Sequence, residues 1–192
     1  MQFEPAGAYI LQKLQREFPH HFYYHSVEHT QDVYNAAAEI GAQEGLTEYE
    51  MKLLLTAAWY HDAGFLEGPN QHEEASCRIA LTVLPGFNYT GQEIDRICGM
   101  IRATRIPQSP QNKLEMILSD ADLDYLGRND FFTIGEKLFA ELCTLGVIST
   151  RNEWDKLQIR FLGNHHYFTN TAINTRQAQK DRHLMALKLN NK

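Results

Sequence analysis

Residues 57–64 read AAWYHDAG, and this stretch bears on both the fold and the candidate site. It continues a run in which apolar residues recur at helical spacing from Leu53 onward, which predicts a buried helix. The run ends on an adjacent imidazole and carboxylate, His61 and Asp62, before a glycine. Placing both groups at a buried helix end costs desolvation, which coordination to a divalent cation would offset. A core histidine beside an aspartate without a ligand role is the alternative from these residues alone.

The same helical spacing of apolar residues extends along nearly the whole chain, and no segment is typical of a strand. Prolines and glycines divide the sequence into pieces of helix length. Two pieces begin with a capping-box pattern, Thr47 with Glu50 and Thr90 with Glu93. We therefore predict an all-α bundle of about nine helices, near residues 5–18, 26–44, 47–63, 71–84, 90–104, 111–126, 130–145, 150–163 and 169–189.

The length of 192 residues fits a single domain, 1–192, with one substantial core. A hydrophobic fraction of 43% and a charged fraction of 22% exclude disordered and fibrous classes. The sequence contains no repeat of fixed period and no linker rich in proline, glycine or serine. We expect one globular unit.

Charge and cysteine usage limit the partners and the compartment. A net charge of −6 argues against a large basic surface for long nucleic acid. The three cysteines lack a C-x-x-C spacing, and the first residues lack the pattern of a signal peptide. No apolar run is long enough to span a bilayer. We expect a cytoplasmic protein without a membrane segment, and the oligomeric state stays open.

A second group of candidate ligands is YHSVEHT at residues 24–30. His25 and His29 are four residues apart, so a helix would place them on one face. A surface histidine beside two tyrosines is the alternative for His25.

The third group is LSDADLDYLG at residues 118–127, where three acids interrupt an apolar helical pattern. Leu118 and Leu126 stand four residues before and after Asp122, so Asp122 lies on a stripe that we expect to face the interior. An exposed acidic face is the alternative for this stretch.

The order of these groups resembles the HD-domain superfamily of metal-dependent phosphohydrolases. The resemblance covers about residues 20–130 and includes the entry motif, the His-Asp pair, HEEAS at 72–76 and the Asp-Ala-Asp-Leu stretch. Helices from 130 to 190 would then complete the fold. The resemblance implies a hydrolase of phosphate ester bonds that uses a metal-activated water, with a nucleotide or another small phosphate ester as substrate.

The resemblance also implies the metal ligands His29, His61, Asp62 and Asp122, with Asp120 as the alternative to Asp122. The aspartate that is not a ligand would orient a histidine or a bound water. The sequence has no histidine between His72 and His165, so we expect one metal and not two. Two imidazoles with two carboxylates suit Mn, Fe, Ni, Co or Zn better than Ca.

Further residues are candidates for catalysis and substrate binding. Asp62 can orient the attacking water, and His25 or His72 can protonate the leaving oxygen. Arg102 and Arg105 can pair with phosphate oxygens, although surface arginines are common.

Three other functions remain open from the sequence. The chain can be an inactive or regulatory nucleotide-binding module on the same fold, a diiron oxygenase, or a purely structural helical protein. A diiron site needs more ligands than this sequence offers after His72. We interpret the pair His165-His166 as structural and the aromatic residues beyond 130 as core, with a pocket wall that stacks a base as the alternative. These aromatic residues are Phe131, Phe132, Phe139, Trp154, Phe161 and Phe168.

Overall fold

The computed structural model describes residues 1–190, and within them the chain is all-α, as predicted. These residues form nine α-helices and three short 3-10 helices, with no strand. The α-helices are α1 (Phe3–Glu17), α2 (Val27–Gln43), α3 (Glu48–Tyr60), α4 (His72–Val83), α5 (Gly91–Ala103), α6 (Lys113–Asp122), α7 (Phe131–Thr144), α8 (Arg151–Asn164) and α9 (Asn170–Asn190). In the same part of the chain, no helix combines the length and apolar character needed to cross a membrane.

Both predicted capping boxes are present. The Thr47 side chain accepts a hydrogen bond from the backbone N–H of Glu50, whose carboxylate accepts one from the Thr47 backbone in return. Thr90 and Glu93 repeat the arrangement at the start of α5. These reciprocal bonds satisfy N–H groups that have no partner inside the helix, so they fix where each helix begins.

Two predicted helices end earlier than the apolar pattern indicated. The helix expected over 47–63 ends at Tyr60 and is followed by a 3-10 helix, Ala63–Leu66. The helix expected over 111–126 ends at Asp122 and is followed by a 3-10 helix, Asp124–Gly127. Each break falls at an expected metal ligand, so the changes of helix type set where those side chains lie.

Helix α3 lies at the centre of the main core, against α1, α2 and α5. Every residue from Leu53 to Tyr60 is buried. A helix that is apolar on all sides is stable only when other helices surround it. The burial of α3 therefore places its last turn, and the His-Asp pair after it, inside the protein.

Helices α7 to α9 complete a second apolar cluster around the 3-10 helix Asp124–Gly127. Its members are buried residues from the chain before and after position 130: Tyr24, Leu123, Tyr125, Leu126, Phe131, Leu162 and Leu187. Arg176 of α9 donates to Asp124 at 2.7 Å. A Cβ on Gly127 would come within 2.5 Å of the Arg176 backbone oxygen, so this contact requires glycine. The C-terminal helices thus pack directly beside the end of α6.

Candidate metal centre

His29 lies in the first turn of α2. The Ser26 side chain caps this helix by accepting a hydrogen bond from the His29 backbone N–H at 3.3 Å. The His29 ring is buried and lies tilted against Tyr24, with ring centroids 4.5 Å apart. The cap and the tyrosine together fix the direction of the imidazole.

His61 and Asp62 follow the last turn of α3, where the backbone is held by Ser76 of α4. The Ser76 hydroxyl donates to the His61 carbonyl at 2.6 Å and accepts from the Gly64 backbone N–H at 2.8 Å. A Cβ on Gly64 would come within 1.9 Å of the His72 carbonyl oxygen. Glycine at 64 is therefore what allows α4 to approach the His-Asp pair.

Asp122 is the last residue of α6 and meets the two histidines from the opposite side. Its Oδ1 lies 3.2 Å from His29 Nε2 and 3.5 Å from His61 Nε2. One ligand atom from each of these residues lies within 4.8 Å of the other two. Asp62 Oδ2 joins them, 3.4 Å from His29 Nε2 and 3.2 Å from His61 Nε2. The structure brings together the four residues expected as ligands.

Two atoms of this cluster are buried without a hydrogen-bond partner, His61 Nε2 and Asp62 Oδ2. Among the described residues only His165 Nε2 shares this property. His61 Nδ1 donates to the Ala58 carbonyl at 2.8 Å, which leaves Nε2 as the ring nitrogen directed toward the carboxylates. Unpartnered buried polar atoms are costly, and a cation would satisfy both. The donor set therefore fits a divalent transition metal.

The charges of the cluster support the same assignment. Burial raises the pKa of Asp62 and Asp122, but the neighbouring imidazoles outweigh it. The pKa of Asp62 is lowered far below its usual range, and that of Asp122 is lowered to about 2. Burial lowers the pKa of His61, yet the two carboxylates raise it well above its ordinary value. Both carboxylates are thus ionised at neutral pH, the form that binds a metal.

Asp120 is placed differently from either role considered for it. Its carboxylate is fully buried and accepts hydrogen bonds from the backbone N–H groups of Phe168 and Thr169, at 2.9 and 2.8 Å, and from the Thr169 hydroxyl at 2.7 Å. None of these three hydrogen bonds is to a histidine. They anchor the segment between α8 and α9 to α6, a role that was not predicted from the sequence.

His25 does not lie on α2, contrary to the expected helical pairing with His29, because the helix begins at Val27. The ring is held by Glu141 of α7, whose Oε1 contacts His25 Nδ1. The other Glu141 oxygen accepts from the backbone N–H groups of Tyr24 and His25, at 2.9 and 3.1 Å. Burial raises the pKa of Glu141, but the His25 contact and these N–H groups lower it overall.

Glu141 is a residue that the sequence reasoning missed. It is 1% exposed in a helix whose other inward residues are apolar. An acid flanked by apolar residues in LFAEL, residues 138–142, was a usable signal, but the spacing gave no hint of its partner more than one hundred positions earlier.

His72, at the start of α4, lies at the edge of the cluster. Its Nε2 is 3.5 Å from Asp62 Oδ1 and 3.7 Å from Glu73 Oε1. Phe65 stacks on both His72 and His25, with ring centroids 4.3 and 3.9 Å away, and the two histidine rings lie 6.1 Å apart. The two histidines that were expected to handle protons therefore lie side by side.

The two candidate arginines occupy different positions. Arg102 binds Glu74 at 3.0 Å and does not line the main cavity. Arg105 lines the cavity, with Nε 3.4 Å from Glu73 and Nη2 3.2 Å from Glu74. Of the two arginines, only Arg105 lies beside the cavity that adjoins the group of His29, His61, Asp62 and Asp122. We call this group of side chains the metal cluster.

A cavity of about 630 Å³ opens beside the cluster and reaches between the earlier helices and α7 and α8. Asp62, Asp122, His25 and His72 contribute to its lining at the metal cluster. Aromatic residues beyond 130, interpreted from the sequence as core, also contribute: Phe131, Trp154 and Phe161. That interpretation was incomplete, because Phe131 and Phe161 belong to the second apolar cluster and line the cavity as well.

Comparison with known proteins identifies the fold and the family. A structure from Lactobacillus plantarum gives a TM-score of 0.69 at 17% identity, covering 99% of this chain and 98% of that one. A protein described as a predicted HD superfamily hydrolase, from an uncultured Thermotogales bacterium, gives 0.63 at 19% identity, covering 95% and 87%. No curated protein matches the sequence.

At these identities the two structures establish the fold alone. The family model of the HD domain matches residues 26–124, more than half of the chain. The matched segment contains all four residues that converge in the cluster. The chain therefore belongs to the HD domain family.

Proposed function

We propose that this protein is a metal-dependent phosphohydrolase that cleaves a small phosphate ester. One observation carries the proposal: two histidines and two aspartates converge with two unpartnered buried atoms beside a cavity large enough for an organic substrate. The Thermotogales relative is described as a predicted hydrolase, which agrees with this assignment.

His29, His61, Asp62 and Asp122 would hold one Mn, Fe, Ni, Co or Zn ion. When bound, such an ion supplies Lewis-acid chemistry, lowering the pKa of a coordinated water and neutralising charge on a phosphoryl oxygen. Asp62 has a second oxygen, Oδ1, on the His72 side. That oxygen can accept a hydrogen bond from the attacking water and orient it toward phosphorus.

His25 is the proton donor that the surroundings support best. Glu141 occupies its Nδ1, so Nε2 is the ring nitrogen left to serve the substrate. The buried Glu141 carboxylate on Nδ1 fixes the orientation of the ring. In the proposed reaction, water oxygen bonds to phosphorus, the ester P–O bond breaks, and the departing oxygen takes a proton from His25. His72 is the second candidate for this transfer, and Arg105 is the side chain that can pair with a phosphate oxygen.

The substrate class and the compartment are also proposals. Nucleotides are what the family resemblance implies, so they belong in the first substrate panel. Long nucleic acid is not expected from the acidic composition. Cys77, Cys98 and Cys143 are free thiols, which supports a reducing compartment such as the cytoplasm.

The test is phosphate release by the purified protein after removal of metal and reconstitution with Mn, Co, Ni, Fe or Zn. We expect release that requires metal and saturates near one ion per chain. Metal binding without turnover of any ester would instead support a regulatory binding module. Two irons per chain with oxygen consumption would support the oxygenase alternative.

A further inference from the structure

The cavity beside the metal cluster has an apolar wall on the side of the C-terminal helices. Six residues define this apolar wall: Leu126, Phe131, Leu138, Leu142, Trp154 and Phe161. Leu126, Phe131 and Trp154 are almost fully buried, so their positions are fixed by packing. The wall presents hydrocarbon and aromatic faces where the organic part of a substrate would lie.

Few polar groups are available on this side of the cavity. Gln158 is 8% exposed and makes no side-chain hydrogen bond within the described residues, so its amide is free for a ligand. The Trp154 indole adds one donor, and Tyr125, packed against Tyr24 with ring centroids 5.6 Å apart, adds one hydroxyl. A nucleoside carries ribose hydroxyls and several base-edge groups, most of which would be left unpaired here at a cost in binding.

Positive charge is also scarce. Within residues 1–190, Arg105 is the only Lys or Arg that lines this cavity, and it is already paired with Glu73 and Glu74. Asp62, Asp122 and Glu73 add negative charge to the same lining. One phosphate can be neutralised at the metal cluster, but the lining offers no cation for a second or third phosphate.

We propose that the substrate is a phosphate monoester of an apolar alcohol, with its phosphate at the metal cluster and its hydrocarbon or aromatic group against the apolar wall. This inference rests on the proposed phosphohydrolase function and narrows its substrate class. Hydrolysis adds water across the ester P–O bond and releases inorganic phosphate and the apolar alcohol. Burial of the alcohol's carbon atoms against the wall supplies binding that a hydrophilic ester lacks.

The test compares esters whose leaving groups are all primary alcohols, so that differences report binding and not leaving-group reactivity. The panel is n-octyl phosphate, 2-phenylethyl phosphate, glycerol 1-phosphate and AMP, each with metal-loaded protein. ATP, a phosphoanhydride whose terminal leaving group is ADP, is assayed separately. We expect kcat/KM for the two apolar esters to exceed that for glycerol 1-phosphate and AMP by at least about tenfold. Equal rates, or a preference for AMP or ATP, would overturn the inference while leaving the phosphohydrolase function intact.

A pair of variants locates the preference on the apolar wall. Leu138→Gln keeps side-chain length and helix propensity but places an amide in the cavity. We expect the ratio of kcat/KM for n-octyl phosphate over glycerol 1-phosphate to fall about tenfold. Leu81→Gln makes the same change on an exposed face of α4 and should leave the ratio unchanged. An unchanged ratio in a folded Leu138→Gln protein would contradict the proposed wall.

A binding readout separates this inference from the failure of catalysis. The chain has two tryptophans, and Trp59 stacks between Phe3 and Tyr34 in the main core. A Trp59→Phe protein therefore reports through Trp154 alone. If no ester is hydrolysed, the phosphohydrolase proposal fails. Saturable change of Trp154 fluorescence with n-octylphosphonate, and none with AMP, would still support the apolar site, whereas no change with n-octylphosphonate would refute it.

Discussion

Residues 26–124 and the helices after position 130 contribute to the site in different ways. The first region supplies the proposed metal ligands, each at or beside a helix end: His29 after the Ser26 cap, the His61-Asp62 pair after α3, and Asp122 at the end of α6. The second region supplies Glu141 and most of the apolar wall. We therefore expect the first region to determine metal binding and the second region to determine proton transfer and substrate choice.

The largest effect should come from substituting Asp122, with substitution of Asp120 in the same helix, α6, as the comparison. Asp122→Asn removes a charged ligand, so we expect loss of bound metal and a fall in phosphate release of more than about 100-fold. Elemental analysis and phosphate assays on the same preparation measure both. Asp120→Asn should retain the metal. Metal retained in Asp122→Asn but lost in Asp120→Asn would reverse the assignment.

Substitution in the second region should reduce turnover without loss of metal. Glu141→Gln leaves His25 without its carboxylate partner, and we expect kcat to fall about 10- to 100-fold at unchanged metal content. Glu136→Gln, on the exposed side of the same helix, is the matched control. If Glu141→Gln lost the metal as well, the division of labour between the regions would be incorrect.

The contact between the regions can be tested through stability. Asp120→Asn weakens three buried hydrogen bonds to Phe168 and Thr169, and we expect a loss of about 1–3 kcal/mol in the free energy of unfolding. Urea denaturation measures this loss. A variant as stable as the parent would show that Asp120 does not hold the C-terminal segment in place.

A smaller effect concerns the pH dependence of stability, to which His165 of the second region contributes. Burial and Lys180 lower the pKa of His165 to about 3, whereas the unfolded value is near 6.5. Below pH 6.5 the unfolded chain binds a proton that the folded chain does not, so His165 makes stability fall as pH drops toward 3. In His165→Gln we expect the loss between pH 7 and pH 5 to be smaller by about 1–2 kcal/mol. Denaturation at the two pH values checks this, and an identical loss would contradict it.

The fold could be predicted because its signals are local, and the convergence of His29, His61, Asp62 and Asp122 because the order of the motifs resembles the HD-domain superfamily. Helical periodicity and capping boxes identified the helices, and His61, Asp62 and Asp122 interrupt apolar runs that otherwise favour burial. The contacts of Glu141 and Asp120 could not be predicted, because each joins residues about 50 or more positions apart. The role of Phe131 and Trp154 was missed for a related reason, since a side chain that lines a cavity has the same apolar pattern as one in a closed core.

The most direct test of the metal centre is the metal content of His61→Ala beside that of His166→Ala. His61 is fully buried with an unpartnered Nε2, whereas His166 is exposed and lies outside the main cavity. We predict that folded His61→Ala contains far less than one transition metal per chain, while His166→Ala retains about one. A folded His61→Ala protein that still binds one metal per chain would contradict the proposed centre.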